Sequence, residues 1–238
     1  MKNSTNNIPK AYKNGYVEFY KLRFKVTPDV LIPRPETELL VDEVLKFIKN
    51  YTLIPKPHPL TILDLGTGSG NIAISITKNL CGYTKGIRLI ASDVSQKALE
   101  VAEQNAKICG VEERIIFIQS DLLSGLNYIL LPKPYTLIIV TNLPYIPSAR
   151  IPYLDSSVKD FEPKIALDGG RDGFELYRKL FKQIVQKGWQ PQLIIGEVDY
   201  THGELACLEA QKYFPKAQIE VKKDLAQKQR VLLVRQFL

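Results

Sequence analysis

From Leu60 onward the chain repeats one unit: a short aliphatic run, a polar turn, then a helical stretch. Thr61-Ile-Leu-Asp-Leu65 reads as a buried strand, and Ile72, Ile74 and Ile76 belong to the helix that follows it. Arg88-Leu-Ile-Ala-Ser-Asp93 is a second strand, after which Ser95 can cap a helix carrying Ala98, Leu99, Ala102 and Ala106. Ile115-Ile-Phe-Ile118 and the run from Tyr135 to Thr141 are a third and a fourth. A helix over 173–187 then leads to a fifth, Gln192-Leu-Ile-Ile195. Few architectures accept this alternation, because parallel neighbours can be joined only through a crossover, usually a helix. The tail departs from it: Ile219-Glu-Val221 and Val231-Leu-Leu-Val234, joined by a polar turn, form a hairpin. The expected fold class is α/β, a Rossmann-like, mostly parallel sheet with an antiparallel C-terminal edge.

The first 59 residues read differently. Tyr12, Tyr16, Phe19, Tyr20 and Phe24 mark a short extended or hairpin segment, and Pro35 suits the first position of a helix with Leu40, Val44, Phe47 and Ile48 on one face. Pro55, Pro57 and Pro59 form a linker, so the expected division is 1–59 and 60–238. No apolar run approaches the roughly 20 residues that cross a bilayer, and the first residues lack a signal-peptide core, which makes the cytoplasm the expected compartment. Cys81, Cys109 and Cys207 form no C-x-x-C pair, and His58 and His202 stand in no metal spacing, so neither a disulfide framework nor a metal is expected. The net charge is +7, with 32 Lys and Arg dispersed among 25 Asp and Glu, which describes a solvated basic surface.

The chemistry is concentrated at strand ends. Gly66, Gly68 and Gly70 follow a strand and open a helix, where missing side chains let a ligand approach the backbone. A dinucleotide fingerprint would place glycine where Asn71 stands, and no Gly-Lys-Ser/Thr follows for a P-loop. Asp93 ends the second strand, where a carboxylate can accept both ribose hydroxyls. After the third strand, Asp121 could meet an exocyclic amine and Leu122 a purine face. Any one of these acids could be a helix cap. Acids at three successive strand ends beside a glycine loop point instead to a nucleoside without pyrophosphate, and S-adenosylmethionine fits, its sulfonium welcoming nearby carboxylates. The fourth strand ends in Asn142-Leu-Pro-Tyr145, a corner suited to holding a planar –NH2 group by its hydrogens.

With these motifs the chain resembles the glutamine N5-methyltransferases that modify peptide-chain release factors. The shared stretches are Leu31-Ile-Pro-Arg-Pro-Glu-Thr-Glu38, Leu63-Asp-Leu-Gly-Thr-Gly-Ser-Gly-Asn-Ile-Ala-Ile74, Asn142-Leu-Pro-Tyr-Ile146, Glu162-Pro163, Ala166-Leu-Asp-Gly-Gly-Arg-Asp-Gly173, and Lys223-Asp224 followed by Arg230-Val231. The resemblance implies a class I methyltransferase fold with a seven-stranded sheet, and S-adenosylmethionine held by Gly66, Thr67, Gly68, Ser69, Gly70, Asp93, Leu122 and Asn142. It implies a substrate glutamine held by Asn142, Leu143, Pro144 and Tyr145, in the Gly-Gly-Gln loop of a release factor. Two departures are expected to matter: Leu143 stands where the family has proline, and the chain starts almost at the hairpin, without the family's N-terminal helical domain.

The expected mechanism is direct methyl transfer to the amide nitrogen, with the Asn142 Oδ1 and the Leu143 carbonyl accepting its two N–H bonds, Tyr145 packing on the amide, and no general base. The alternatives are a nucleic-acid methyltransferase acting on adenine N6 or guanine N2, whose corner is related, and a catalytically idle module that keeps the cofactor fold. Nucleic acid is not the expected substrate. Arg34, Glu36 and Glu38 touch ligand or pin the N-terminal segment on the catalytic domain; for the two carboxylates the second is expected, as surface or capping groups.

Overall fold

A computed structural model describes residues 7–51, 58–80, 86–126 and 135–236. Pro55, Pro57 and Cys81 lie outside the described residues. In chain order the elements are α1 (Lys10–Asn14), β1 (Tyr16–Phe19), β2 (Leu22–Lys25), α2 (Glu38–Tyr51), β3 (Leu60–Leu65), α3 (Asn71–Asn79), β4 (Ile87–Asp93), α4 (Gln96–Cys109), β5 (Ile115–Gln119) and β6 (Thr136–Thr141). They continue with α5 (Ser156–Lys159), α6 (Glu175–Gln186), β7 (Leu193–Glu197), α7 (Gly203–Tyr213), β8 (Gln218–Lys223) and β9 (Gln229–Arg235).

Seven strands make one sheet in the order β5-β4-β3-β6-β7-β9-β8. The first five are parallel, and β9 runs antiparallel to both β7 and β8. From β3 the chain builds outward to β4 and β5, then returns to place β6 on the other side of β3. The strand order reverses between β3 and β6, and in open α/β sheets ligands bind in the crevice at the carboxyl ends of such strands.

The alternation of side chains splits the sheet's apolar residues between two layers. Ile62, Ile138, Val140, Ile195 and Leu233 face one cluster together with Leu40, Val44 and Ile48 of α2 and Ile72 and Ile76 of α3. Leu63, Leu65, Leu137, Ile139, Ile194 and Leu232 face the other, with Tyr177, Leu180 and Phe181 of α6 and Ala206 of α7. Every residue of β3 and β6 is buried, as central parallel strands require.

The N-terminal segment is part of the first layer. The apolar face of α2 buries Leu40, Val41, Val44 and Ile48, each side chain worth roughly 1.5–3 kcal/mol. Pro35 opens a 3₁₀ turn, Pro35–Thr37, that runs into α2. The hairpin turn places Tyr20 and Lys21 at positive φ. It is pinned to α2 by the Tyr20 N–H donating to Glu38 Oε1 at 2.6 Å and the Tyr20 hydroxyl donating to Asp42 Oδ1 at 2.7 Å. Glu38 thus holds the N-terminal segment together internally, rather than pinning it on the catalytic domain. The one-turn helix α1, absent from the sequence reading, ends where Gly15 turns left-handed at φ 75°.

Candidate active site

A cleft of about 310 Å³ opens at the carboxyl ends of β3 and β6, between the glycine loop and the Asn142 corner. One wall is formed by Asp29, Val30, Leu31, Pro33 and Arg34, a stretch entered through a turn that the Val30 N–H closes on the Thr27 carbonyl at 3.1 Å. That wall is held from below: Ile32 N–H donates to Glu162 Oε2 at 3.1 Å, and Arg34 pairs with the same buried carboxylate.

On the β3 side the loop is built largely from backbone. Gly70 has φ 80°, and a Cβ there would come within 2.8 Å of Ile74 Cδ1 and 3.2 Å of Ala102 Cβ, so this glycine lets α3 and α4 approach. Gly68, at φ 56°, has nothing within 4 Å of its absent side chain. Its N–H donates to Asp93 Oδ2 at 2.9 Å, and the Ser95 N–H donates to Asp93 Oδ1 at 2.9 Å. Each Asp93 oxygen therefore receives one backbone hydrogen bond and keeps lone-pair capacity for a diol. Burial raises the Asp93 pKa, and those backbone bonds oppose the rise.

Thr67 and Ser69 line the cleft, but their hydroxyls are engaged within the protein: Thr67 donates to Asp64 Oδ2 at 2.7 Å and Ser69 to Asn71 Oδ1 at 3.3 Å. Asp64 Oδ2 also accepts the Ala73 N–H at 3.1 Å, while its Oδ1 is buried without a hydrogen-bond partner. Burial pushes the Asp64 carboxyl up to about 7. Leu122 presents an apolar side chain to the cleft from a left-handed backbone, φ 53°. Asp121 also lines the cleft, yet its half-exposed carboxylate is paired with Lys179 at 2.5 Å. A backbone cradle, a carboxylate with spare acceptors and an apolar plate suit a nucleoside such as that of S-adenosylmethionine.

On the β6 side the corner is built from side chains far apart in sequence. Thr141 ends the strand with its hydroxyl on the Leu65 carbonyl at 2.6 Å, tying the ends of β6 and β3 together. Asn142 Nδ2 donates to Thr37 Oγ1 at 3.2 Å and to Glu197 Oε2 at 3.1 Å. The Thr37 hydroxyl donates to Glu197 Oε2 at 2.6 Å, and the Tyr145 hydroxyl donates to Glu197 Oε1 at 3.0 Å. Tyr177 donates its hydroxyl to the Glu197 carbonyl at 2.5 Å. Glu197, 1% exposed at the end of β7, thus receives only donors. Burial raises its pKa, while the Thr37 and Tyr145 bonds and the field of Arg230 hold it down. Burial and Glu197 together keep the Tyr145 phenol protonated.

Leu143 is buried, its Cδ2 3.6 Å from where a Cβ on Gly66 would lie. The Ala166–Gly173 stretch braces the corner from outside. Ile146 N–H donates to the Leu167 carbonyl at 3.1 Å, and Gly169 N–H to the Ile146 carbonyl at 2.9 Å. A Cβ on Gly169 would come within 2.7 Å of the Pro144 oxygen and 2.8 Å of Tyr145 Cα, contacts no side chain can make.

The cleft brings together every residue expected at the cofactor site except Gly70, which lies beneath it as a packing residue, and it takes Asn142, Leu143 and Pro144 from the corner. Tyr145 is turned to Glu197. Thr37 and Glu197 were missed. A signal for Glu197 existed: it is a carboxylate closing a buried apolar strand, the same feature that singled out Asp93.

The methyltransferase domain family matches residues 62–158. A release factor glutamine methyltransferase of Moorella thermoacetica is 42% identical over 172 residues, 72% of this chain and 55% of that protein. One from Bacillus cereus is 37% identical over 225 residues, 94% of this chain and 75% of that protein. The aligned stretch therefore spans about half of the first relative's length and three quarters of the second's. Among solved structures, the hMettl16 catalytic domain in complex with MAT2A 3'UTR hairpin 6 matches at TM-score 0.64 and 14% identity, over 92% of this chain and 77% of that one. The N-terminal domain of human METTL16 in complex with SAH matches at 0.61 and 14%, with the same coverage. At such identities these likenesses bear on the fold alone, which is that of the class I methyltransferases.

Proposed function

The chain belongs to the release factor glutamine methyltransferases, and we propose that it transfers the methyl group of S-adenosylmethionine to the side-chain amide nitrogen of the Gly-Gly-Gln glutamine in a peptide-chain release factor. The observation that carries this reading is the Asn142 carboxamide. Both of its hydrogen bonds use Nδ2, which leaves Oδ1 to accept from a substrate in the cleft that Asn142 lines beside the glycine loop.

When bound, the cofactor supplies an activated methyl group on a sulfonium. The chain's task is to position and polarise a poor nucleophile, since an amide lone pair is delocalised into its carbonyl. Asn142 Oδ1 and the Leu143 carbonyl accept the two N–H bonds of the glutamine amide and aim its nitrogen at the glycine loop. The same oxygens stabilise positive charge as it develops on that nitrogen. Pro144 restricts the corner's backbone. Tyr145, its hydroxyl anchored on Glu197, braces the corner from behind. No base is needed before transfer, because the surplus proton leaves afterwards.

On the donor side, Gly66, Thr67, Gly68 and Ser69 line the nucleoside's seat, with Gly70 setting the loop from beneath. Asp93 accepts the ribose hydroxyls, Leu122 covers the purine, and Asp121 reaches its amine in competition with Lys179. The reaction belongs in the cytoplasm with its protein substrate; no described helix is long and apolar enough to cross a membrane.

The test is transfer of labelled methyl from S-adenosylmethionine to purified release factor, with rRNA and DNA in parallel and mass spectrometry to locate the label. Label on the Gly-Gly-Gln glutamine is expected. Label on nucleic acid alone would move the function to base methylation.

A further inference from the structure

We infer that Glu197 is a positioning residue for methyl transfer: its buried carboxylate fixes the direction of the Asn142 carboxamide, so that the oxygen and not the –NH2 end meets the substrate. The inference rests on the reading above, in which Asn142 Oδ1 receives the acceptor amide.

A primary carboxamide is nearly symmetric in shape, and only hydrogen bonding tells its two ends apart. Turned by half a revolution, Asn142 would present two donors to a substrate –NH2 that also only donates in this geometry, and the site would repel its own substrate. Something must therefore hold Nδ2. Thr37 Oγ1 alone cannot, because a hydroxyl donates as readily as it accepts. Glu197 removes that freedom: its Oε2 takes the Thr37 proton at 2.6 Å, which leaves Thr37 Oγ1 only its lone pairs to offer Asn142 at 3.2 Å. The same Oε2 accepts Asn142 Nδ2 directly at 3.1 Å, and Oε1 is occupied by the Tyr145 hydroxyl at 3.0 Å.

A carboxylate is the one side chain that offers acceptors at both ends, and here both ends are met by donors. The charged groups whose fields reach Glu197 are Arg230, itself paired with Asp224 at 3.1 Å, and Glu36. The arrangement also sharpens the electrostatics. A buried anion behind the Nδ2 end polarises the carboxamide and enriches Oδ1 where positive charge develops on the substrate nitrogen.

Because Glu197 acts through Asn142, the two positions must depend on each other, and a double-mutant cycle measures that dependence. Glu197→Gln keeps the shape but offers one acceptor and one –NH2. Alone it is expected to lower kcat about tenfold, with the Kd for S-adenosylmethionine within about twofold of wild type. Asn142→Asp alone places a second carboxylate against Glu197 and is expected to lower kcat about a thousandfold. Combined, the introduced –NH2 can donate to the introduced carboxylate while its oxygen still accepts from Tyr145. The double variant is expected to turn over at least about tenfold faster than Asn142→Asp. Glu197→Gln would thus be harmful in one background and beneficial in the other, which a purely structural role does not produce. Losses that simply multiply would overturn the inference, as would full activity of Glu197→Gln.

A second measurement needs no substrate. The side-chain amide protons of Asn142 are expected to exchange with solvent more than about tenfold faster in Glu197→Leu than in wild type, in protein that still binds the cofactor. Equal exchange would refute the anchoring. Failure of wild type to methylate a release factor would count against the proposed function and leave this exchange result standing on its own.

Discussion

The two sides of the cleft are built on different principles. The donor side is local: Thr67 bonds Asp64 across 3 positions, Ala73 bonds Asp64 across 9, and Gly68 bonds Asp93 across 25. The acceptor side is assembled from a distance: Thr37 meets Glu197 across 160 positions, Asn142 meets Thr37 across 105 and Glu197 across 55. A loop that follows a strand and opens a helix shapes itself once its own β-α-β unit has formed. The corner takes shape only when the N-terminal segment, β6 and β7 are all in place. The glycine loop and its Asp93 partner are therefore a property of one supersecondary unit, and the substrate corner is a property of the whole fold.

Asn142→Ala tests this division most strongly. It is expected to lower kcat about a thousandfold while cofactor affinity stays within about twofold, measured by single turnover and calorimetry. A matching loss of cofactor affinity would erase the distinction between the two sides. Gly169→Ala comes next: its new methyl would push on the Pro144 oxygen from 2.7 Å, and a displaced corner is expected to lose about a hundredfold in kcat. The donor side should answer in the other observable. Asp93→Ala is expected to weaken cofactor binding about thirtyfold, through lost charge-assisted hydrogen bonds, with the turnover of the saturated enzyme changed far less.

Asp64 gives the donor side a dependence on pH. Its carboxyl titrates at about 7 in the fold against an ordinary 3.8. The folded chain thus holds a proton over that interval that the unfolded chain has released. The contribution of Asp64 to stability is complete below about 3.8 and is lost as the pH rises through about 7. Asp64→Asn is expected to melt a few degrees above wild type at pH 8, with the gap narrowing steadily toward pH 5. A gap independent of pH would show that Asp64 is already ionised in the fold between pH 5 and pH 8. The smallest effect belongs to Lys179→Ala, which frees Asp121 from an exposed ion pair and should change cofactor affinity less than about twofold.

The same contrast decides what could be read from the sequence. The glycine loop, Asp93 and the strand–helix alternation were legible because each is a local pattern with a local cause. The buried face of α2 was legible from its spacing. Thr37 was hidden because a threonine beside two glutamates in a proline-rich run has no local mark of its partner. Glu197 carried a usable signal, but its meaning depends on β7 lying next to β6, which hydrophobic periodicity does not reveal. The role of Gly169 was equally hidden, since only the approach of Pro144 and Tyr145 makes a side chain impossible there. Leu143 stood out as a departure from proline; in the fold it is a buried residue of the core that also floors Gly66.

Leu143 carries a consequence for motion. One isobutyl group touches the underside of the donor loop while its own backbone belongs to the acceptor corner. Protein interiors are close-packed and barely compressible, so a thermal excursion of either side is passed to the other through this contact. The two sides are expected to fluctuate together, with the gap between them varying less than the position of either. Trimming Leu143 to alanine would uncouple those fluctuations, leaving two well-formed seats whose separation is no longer constant from one moment to the next.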